Sequence, residues 1–356
     1  MKFASLITGT GAYIPTEIQK NTEFLSHTFY GPSGQPLLTP TGTIIEKFKN
    51  ITGIAERRYA PSHINAADMA AIAGSQALIN SDLDAETLDQ IVVAHNFGNV
   101  AYGTIQSQNV PSLSCRVKHI LGINRPECIA FDVMAGCPGW LHAVIQSHAW
   151  FTAGMAQRVL LIGTETLSRV IDPADRDSMI FSDGAGAVVM EYQPIHGSNA
   201  GILGCCSQTH SIEELNYINM AGSYRLNGDD AVYIKMKGRK VYEYALKHVP
   251  LVMKECLDKS GITVSEVSKI LIHQANEKMD KEIIERLYEL YGVVPRPNVM
   301  PMSIQWLGNS SVATIPTLYH LIRNNKIADH EISEGDVLLF ASVGAGMNIN
   351  AVCYRV

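Results

Sequence analysis

Apolar positions along this chain fall into short β-prone runs that alternate with stretches of helical spacing, the pattern of an α/β protein. Residues 3–8 predict a first strand that ends at the glycines at 9 and 11, a lone G-x-G without the third glycine of a dinucleotide site. Residues 27–42, rich in Gly, Pro, Ser and Thr, read as a loop insertion. A helix begins over 44–48, a turn and short strand span 51–59, and an Ala-rich helix follows over 65–79. Residues 88–94 read as helix end then strand, and 111–121 as a helix closed by Gly122. Ile129-Ala-Phe-Asp-Val133 is the next strand. The small residues Ala135 and Gly136 permit a tight turn into Cys137 and Pro138, and helical spacing resumes over 141–151. Pro favours the first helical position, so Cys137 is expected at a helix N-terminus, where positive partial charge and free N–H groups lower a thiol's pKa.

The second half repeats this plan. A helix over 240–257 leads to Val267-Ser-Lys-Ile-Leu-Ile-His273, which matches Leu88-Asp-Gln-Ile-Val-Val-Ala94 in pattern. A helix expected over 309–322, opened by Asn309-Ser-Ser, stands where the Cys137 helix stood. Asp336-Val-Leu-Leu-Phe-Ala341 answers Arg158-Val-Leu-Leu-Ile-Gly163, and the Gly-rich run 343–352 answers 183–190. Four elements recurring in one order predict two pseudo-symmetric α/β halves with buried strands between helices. The N-terminal half is placed at 1–191 and the C-terminal half at 231–356. Between them, 192–230 forms a connecting segment in which the stretch 193–201 and Asn227-Gly-Asp-Asp interrupt the pattern.

The duplication puts Cys137 and Asn309 at corresponding helix starts and His273 at a strand end, where α/β folds build their sites. Composition narrows the rest. With 46% hydrophobic and 17% charged residues the chain can bury a large core, and a net charge of −6 gives no global field for nucleic acid. The seven cysteines include no C-x-x-C, so zinc and redox motifs are unsupported and reduced thiols of a cytoplasmic protein are expected. No apolar run reaches spanning length, and the first ten residues lack a signal peptide's h-region. H-E-x-x-H, EF-hand and Walker A patterns are missing, so neither a metal nor a cofactor is expected.

Ala135-Gly-Cys-Pro-Gly-Trp140, Asp172-Pro-Ala-Asp-Arg176, Phe181-Ser-Asp-Gly-Ala-Gly-Ala187, His273-Gln-Ala-Asn276 and Gly308-Asn-Ser-Ser-Val-Ala-Thr-Ile-Pro316 together resemble the thiolase-fold condensing enzymes, specifically the β-ketoacyl-ACP synthase III group. The resemblance implies a homodimer that takes acyl thioesters, an acyl group carried on Cys137, and His273 with Asn309 holding the second thioester's carbonyl. It also implies an oxyanion hole from the Cys137 and Gly346 amides. Such roles are chemically apt: thioesters exchange with thiolates, and fixed N–H donors stabilise the oxyanion and the enolate of a Claisen condensation. The C-terminal Ala341-Ser-Val-Gly-Ala-Gly346 lacks a thiolase's second Cys. By the same resemblance Phe181, Arg176 and Asn276 contact substrate, and Val110 occupies a position that closes the partner subunit's acyl pocket. Lys278, Arg239 and Lys240 would meet an acidic acyl carrier protein.

Lys47 and Ile51 replace the Trp and Arg with which the family's fatty-acid starter enzymes hold coenzyme A, which favours carrier-bound substrates. The loop insertion, Ile44 to Ala60, and Val92-Val-Ala-His-Asn-Phe-Gly98 resemble a narrower set, the DarB-type enzymes of dialkylresorcinol and flexirubin synthesis. That resemblance implies joining a β-ketoacyl unit to a second acyl chain, giving a dialkylcyclohexanedione. Alternatives are a starter synthase using malonyl-ACP, a Cys-His-Asn thioester hydrolase, and a non-catalytic partner subunit of a synthase pair.

Overall fold

The computed structural model describes residues 2–196, 199–226 and 230–356. Residues 197–198 and 227–229, within the two predicted interruptions, lie outside the described residues. Two sheets carry the architecture. Numbering only their strands, the first has the order β1 (Lys2–Tyr13), β5 (Asp183–Ile195), β4 (Arg158–Thr166), β2 (Gln90–Ala94), β3 (Ile129–Val133). The second runs β6 (Gly201–Thr209), β9 (Asn348–Arg355), β8 (Val337–Gly344), β7 (Val267–Ile272). In both sheets the first two pairings are antiparallel and the third parallel, so β1, β5, β4 and β2 correspond to β6, β9, β8 and β7. The fifth position is filled in the first sheet by β3. In the second, Val299 takes that place, its carbonyl accepting from the Ile270 N–H at 2.7 Å.

Seven helices cover or separate the sheets: α1 (Thr41–Thr52), α2 (Ala66–Ser81), α3 (Leu113–Ile120), α4 (Gly139–Thr152), α5 (Gly238–Ser260), α6 (Glu277–Glu289) and α7 (Thr314–Arg323). Helices α2 and α3 pack outside the first sheet, α5 and α6 outside the second. Helices α4 and α7 lie between the sheets, in one core built from Val92, Leu161 and Val188 on one side and Leu271, Leu338 and Phe340 on the other. Helix α7 is buried over Thr314–Ile322, and α4 buries Trp140, Leu141, Ala143, Val144 and Phe151, whereas an outer helix such as α6 keeps a polar side. Among the described residues no helix is long and apolar enough to cross a membrane.

Two expectations about chain organisation change. The first strand does not stop at the glycines but runs through them to Tyr13. Gly11 is there because α2 crosses directly above it, and a Cβ would strike the Ala73 carbonyl oxygen. The segment expected to be a connection contains β6, an integral strand of the second sheet, and the cut at 191 falls inside β5. The sheet partners, distant in sequence, set that boundary.

Candidate active site

Cys137 stands between β3 and α4. The helix begins at Gly139, with Pro138 as its N-cap, so the thiol lies one residue further from the helix end than the sequence suggested. Burial pushes the Cys137 thiol up to about 11, and the nearby Glu165 carboxylate adds to the rise. A hydrogen bond with the Ser311 hydroxyl and the residue's own amide act the other way. The expectation of a lowered thiol pKa is thus corrected, because burial of the sulfur raises it.

The loop between β8 and β9 closes over this turn. A Cβ on Gly344 would sit 2.5 Å from the Cys137 nitrogen, so only glycine allows the approach. Gly346, at φ 73°, adopts the left-handed conformation two residues on. The far end of the loop is tied down where Tyr244 Oη and the His210 N–H both donate to the Met347 carbonyl at 3.1 Å. Asn350 Nδ2 donates to the Pro138 carbonyl at 3.2 Å, fixing the start of α4 against β9.

His273 follows β7 directly, and its amide donates to the Ala341 carbonyl at 2.9 Å. Burial drives the ring's pKa down to about 4, partly countered by a backbone hydrogen bond at Ser311, so the imidazole is neutral at pH 7. Its Nδ1 is buried without a protein partner. Asn309 is not a helix N-cap as expected. It pairs with Phe181 in an isolated bridge and precedes a short 3₁₀ turn, Ser311–Ala313, that leads into α7. Its Oδ1 accepts from the Ser311 N–H at 2.7 Å, which leaves the Nδ2 group to donate to a substrate oxygen.

Ser311 therefore touches all three polar residues: the Cys137 thiol through its hydroxyl, His273 through its backbone and Asn309 through its amide. It does so at φ 53°, an uncommon conformation for a residue with a side chain. The sequence reading missed it, together with Asn96 and Glu165. Asn96 Nδ2 donates to Ser311 Oγ at 3.0 Å and to Glu165 Oε1 at 2.6 Å, and the Asn96 amide reaches the same oxygen at 2.6 Å. Glu165 is 1% exposed, burial raises its carboxyl to about 8, and its Oε2 has no partner. One signal was available: Glu165 is an acid that closely follows the apolar run Val159-Leu-Leu-Ile162 in a strand buried from Val159 to Thr166.

A cavity of about 650 Å³ leads from the surface toward this centre. Cys137, His273 and Asn309 are not among its lining residues, but Ile180, Ala275 and Asn276 line it, and the Ile180 carbonyl accepts from the Asn309 amide at 3.0 Å. Leu37, Phe48 and Met236 make its walls apolar, while Lys47, Arg176 and Arg239 bring charge to it. The predicted loop insertion supplies one wall through Tyr30, Leu37 and Leu38. Of the predicted contact residues, Arg176 and Asn276 line this cavity, and Asn276 also caps α6 by accepting from the Met279 amide at 3.0 Å. Phe181 is buried beside Asn309. Val110 is 90% exposed, away from this chain's cavity. Lys278 faces a separate groove on α6 with Lys281 and Glu285; Lys240 is exposed at the start of α5 beside Arg239. Among the described residues no group of three or more His, Cys, Asp and Glu side chains is arranged to hold a metal ion.

Comparison with known proteins places the chain among relatives. The sequence profile of 3-oxoacyl-[acyl-carrier-protein (ACP)] synthase III matches residues 131–211, and that of its C-terminal domain matches 257–356. The chain is 30% identical over 361 residues to beta-ketoacyl-[acyl-carrier-protein] synthase III of Cereibacter sphaeroides, covering 100% of both. It is 32% identical over 352 residues to the Aquifex aeolicus protein of that name, covering 98% of each. The crystal structure of the Aquifex aeolicus synthase superposes with a TM-score of 0.79, covering 99% of this chain and 100% of that one at 30% identity.

Proposed function

The chain belongs to the β-ketoacyl-[acyl-carrier-protein] synthase III family, and from that premise we propose how it condenses acyl thioesters and which ones. It is an acyl-transferring condensing enzyme of the thiolase fold. Cys137 is its nucleophile. The thiolate attacks an acyl thioester, the oxyanion takes hydrogen bonds from the Cys137 and Gly346 amides, and the carrier thiol departs. A second thioester then enters. Neutral His273 and Asn309 Nδ2 donate to its carbonyl oxygen and stabilise the enolate that attacks the Cys137-bound acyl group. The observation that carries this reading is the convergence of the three residues on Ser311, with the buried, partnerless Nδ1 of His273 beside them.

The donor of the second unit is a β-ketoacyl thioester; after the Claisen step a second, ring-closing carbon–carbon bond forms as the remaining carrier thiol leaves, and the product is a dialkylcyclohexanedione, the precursor of a dialkylresorcinol. Lys47 and Ile51 line the cavity where coenzyme A-using starter enzymes carry other residues, and the loop insertion extends its apolar wall. Both support carrier-bound acyl chains. Arg239, Lys240 and Lys278 form the docking face for an acidic acyl carrier protein. The working unit is a homodimer joined at the outer edge of β3, where Ile129 and Met134 are more than half exposed and Val110 projects toward the second subunit's pocket.

Mass spectrometry of products from paired acyl-ACP substrates tests this. A β-ketoacyl-ACP with a second acyl-ACP is expected to give the cyclohexanedione. Turnover of an acyl thioester with malonyl-ACP, releasing CO₂ and a simple β-ketoacyl-ACP, would favour the starter-synthase reading instead.

A further inference from the structure

Glu165 is a buried acid that the condensation scheme above leaves unused. It is bonded only on one side. Oε1 takes both the amide and the Nδ2 group of Asn96 at 2.6 Å, while Oε2 meets no protein donor. This double bond to one acceptor fixes the Asn96 carboxamide, because turning its oxygen toward the carboxylate would set two acceptors against each other. An amide nitrogen has two hydrogens, and both are then committed, to Glu165 and to Ser311 Oγ at 3.0 Å. Ser311 Oγ receives a hydrogen from Asn96, so its own single hydrogen is directed at the Cys137 sulfur, its other hydrogen-bonding neighbour.

The base of this chain is rigid. Asn96 follows His95, whose Nε2 meets Asp132 Oδ2 at 2.9 Å and whose Nδ1 accepts from the Gly98 amide at 2.9 Å. The titratable groups facing Glu165 are Cys137 and, from β5, Asp183, which Ser168 bonds and Arg169 neighbours. His273 lies beyond Ser311. No cation contacts the carboxylate directly among the described residues, so two negative charges at this depth would be unshielded.

We propose that Glu165, acting through Asn96 and Ser311, controls when Cys137 is a nucleophile: the site holds one negative charge, on the sulfur or on the carboxylate, but not on both. Glu165 and Asn96 are positioning residues. In activation Cys137 loses its S–H proton to solvent and Glu165 takes one on its unpartnered Oε2, with no change in net charge, and the Ser311 hydrogen stabilises the sulfur; the chain itself carries no proton, because the hydrogens of Asn96 and Ser311 are already donated. On acyl transfer the S–C bond forms, the carrier sulfur leaves as a thiolate and is protonated from solvent, and Glu165, no longer facing a charged sulfur, gives up its proton. The scheme rests on Cys137 being the nucleophile.

The test is the pH dependence of Cys137 alkylation by iodoacetamide, read by intact mass and peptide mapping, in the wild type, Glu165→Gln and Ser311→Ala. A shared charge predicts two inflections in the wild type. Glu165→Gln should leave one, displaced to lower pH, with alkylation near pH 8 about tenfold faster per unit of displacement. Ser311→Ala should move the upper inflection the other way and slow alkylation by a similar factor. A Glu165→Gln profile superimposable on the wild type overturns the proposal, as does an unmoved Ser311→Ala profile should Glu165→Gln fail to fold. Acyl or alkyl label mapping to a cysteine other than Cys137 would instead overturn the assignment of the nucleophile.

Discussion

His95 and His273 occupy the same place in the two halves of the molecule and are used in opposite ways. Each directly follows the strand that runs parallel to its half's central strand, with Ala94 opposite Gly163 in one sheet and Ile272 opposite Ala341 in the other. His95 is saturated: one ring nitrogen is bonded to Asp132, the other to the Gly98 amide. Asp132 also takes the Leu113 and Ser114 amides at 2.8 Å, closing the start of α3. His273 has a buried ring nitrogen with no partner and no carboxylate to hold a proton. What separates a structural histidine from a chemical one here is the company of the ring, since strand, position and burial are alike.

That contrast can be broken by substitution, and the largest effect should come from the residue both halves converge on. Cys137→Ala is expected to abolish the acyl-enzyme mass shift altogether, and a full shift on that variant would show another nucleophile. Next, His273→Ala and Asn309→Ala should still load an acyl chain on Cys137 while product formation falls by roughly 10²–10³, the scale of losing one oxyanion-type donor. His95→Ala should do the reverse. It removes one of three donors to the partly buried Asp132 carboxylate and leaves the Gly98 amide without its acceptor, and should cost about 2 kcal/mol in denaturant unfolding, with His273→Ala far milder. Equal destabilisation by both would dissolve the distinction.

Acid sharpens it. The folded pKa of His273, about 4, lies below the ordinary histidine value of 6.5, so the unfolded chain binds a proton that the folded chain refuses. Stability should fall as pH drops from about 6.5 toward 4, and His273→Ala should flatten that limb of the pH–stability curve. Burial alone would raise Asp132, but bonds from His95 and Ser114 hold it below its ordinary value. Its contribution should persist through that window and vanish only at lower pH. The smallest effect concerns encounter. Charge reversal at Lys278 and Arg239 should slow acylation from acyl-ACP at low salt and leave acylation from a carrier-free thioester nearly unchanged. Equal slowing would assign the pair to the cavity wall.

The alternation of apolar runs made the strands and the duplication legible, because buried parallel strands and flanking helices leave periodic traces in any sequence. Cys137, His273 and Asn309 stood out through their places in that repeat. The pattern nevertheless set Ala94 against His273, and the strand register moves the match by one residue to His95. The state of the Cys137 thiol was misread for a related reason. A helix end is a local property, whereas the burial that dominates comes from segments more than a hundred residues away. Ser311, Asn96 and Glu165 were illegible as a group because they lie on three separate segments, each unremarkable without its neighbours. The loop over 27–42 was recognised as irregular, but that it walls the cavity depends on contacts the chain does not encode locally.

The middle layer of the fold has a bearing on heredity. Helices α4 and α7 each come from one half yet are covered by the sheets of both. Pull the halves apart and each would expose its central helix to water along a face with almost no polar residue. A duplication of this kind is irreversible: once two copies share one interior, neither can be lost, shuffled elsewhere or expressed by itself. The copies remained free to diverge in the turns that end their strands, where one now carries a thiol and the other an imidazole and a carboxamide.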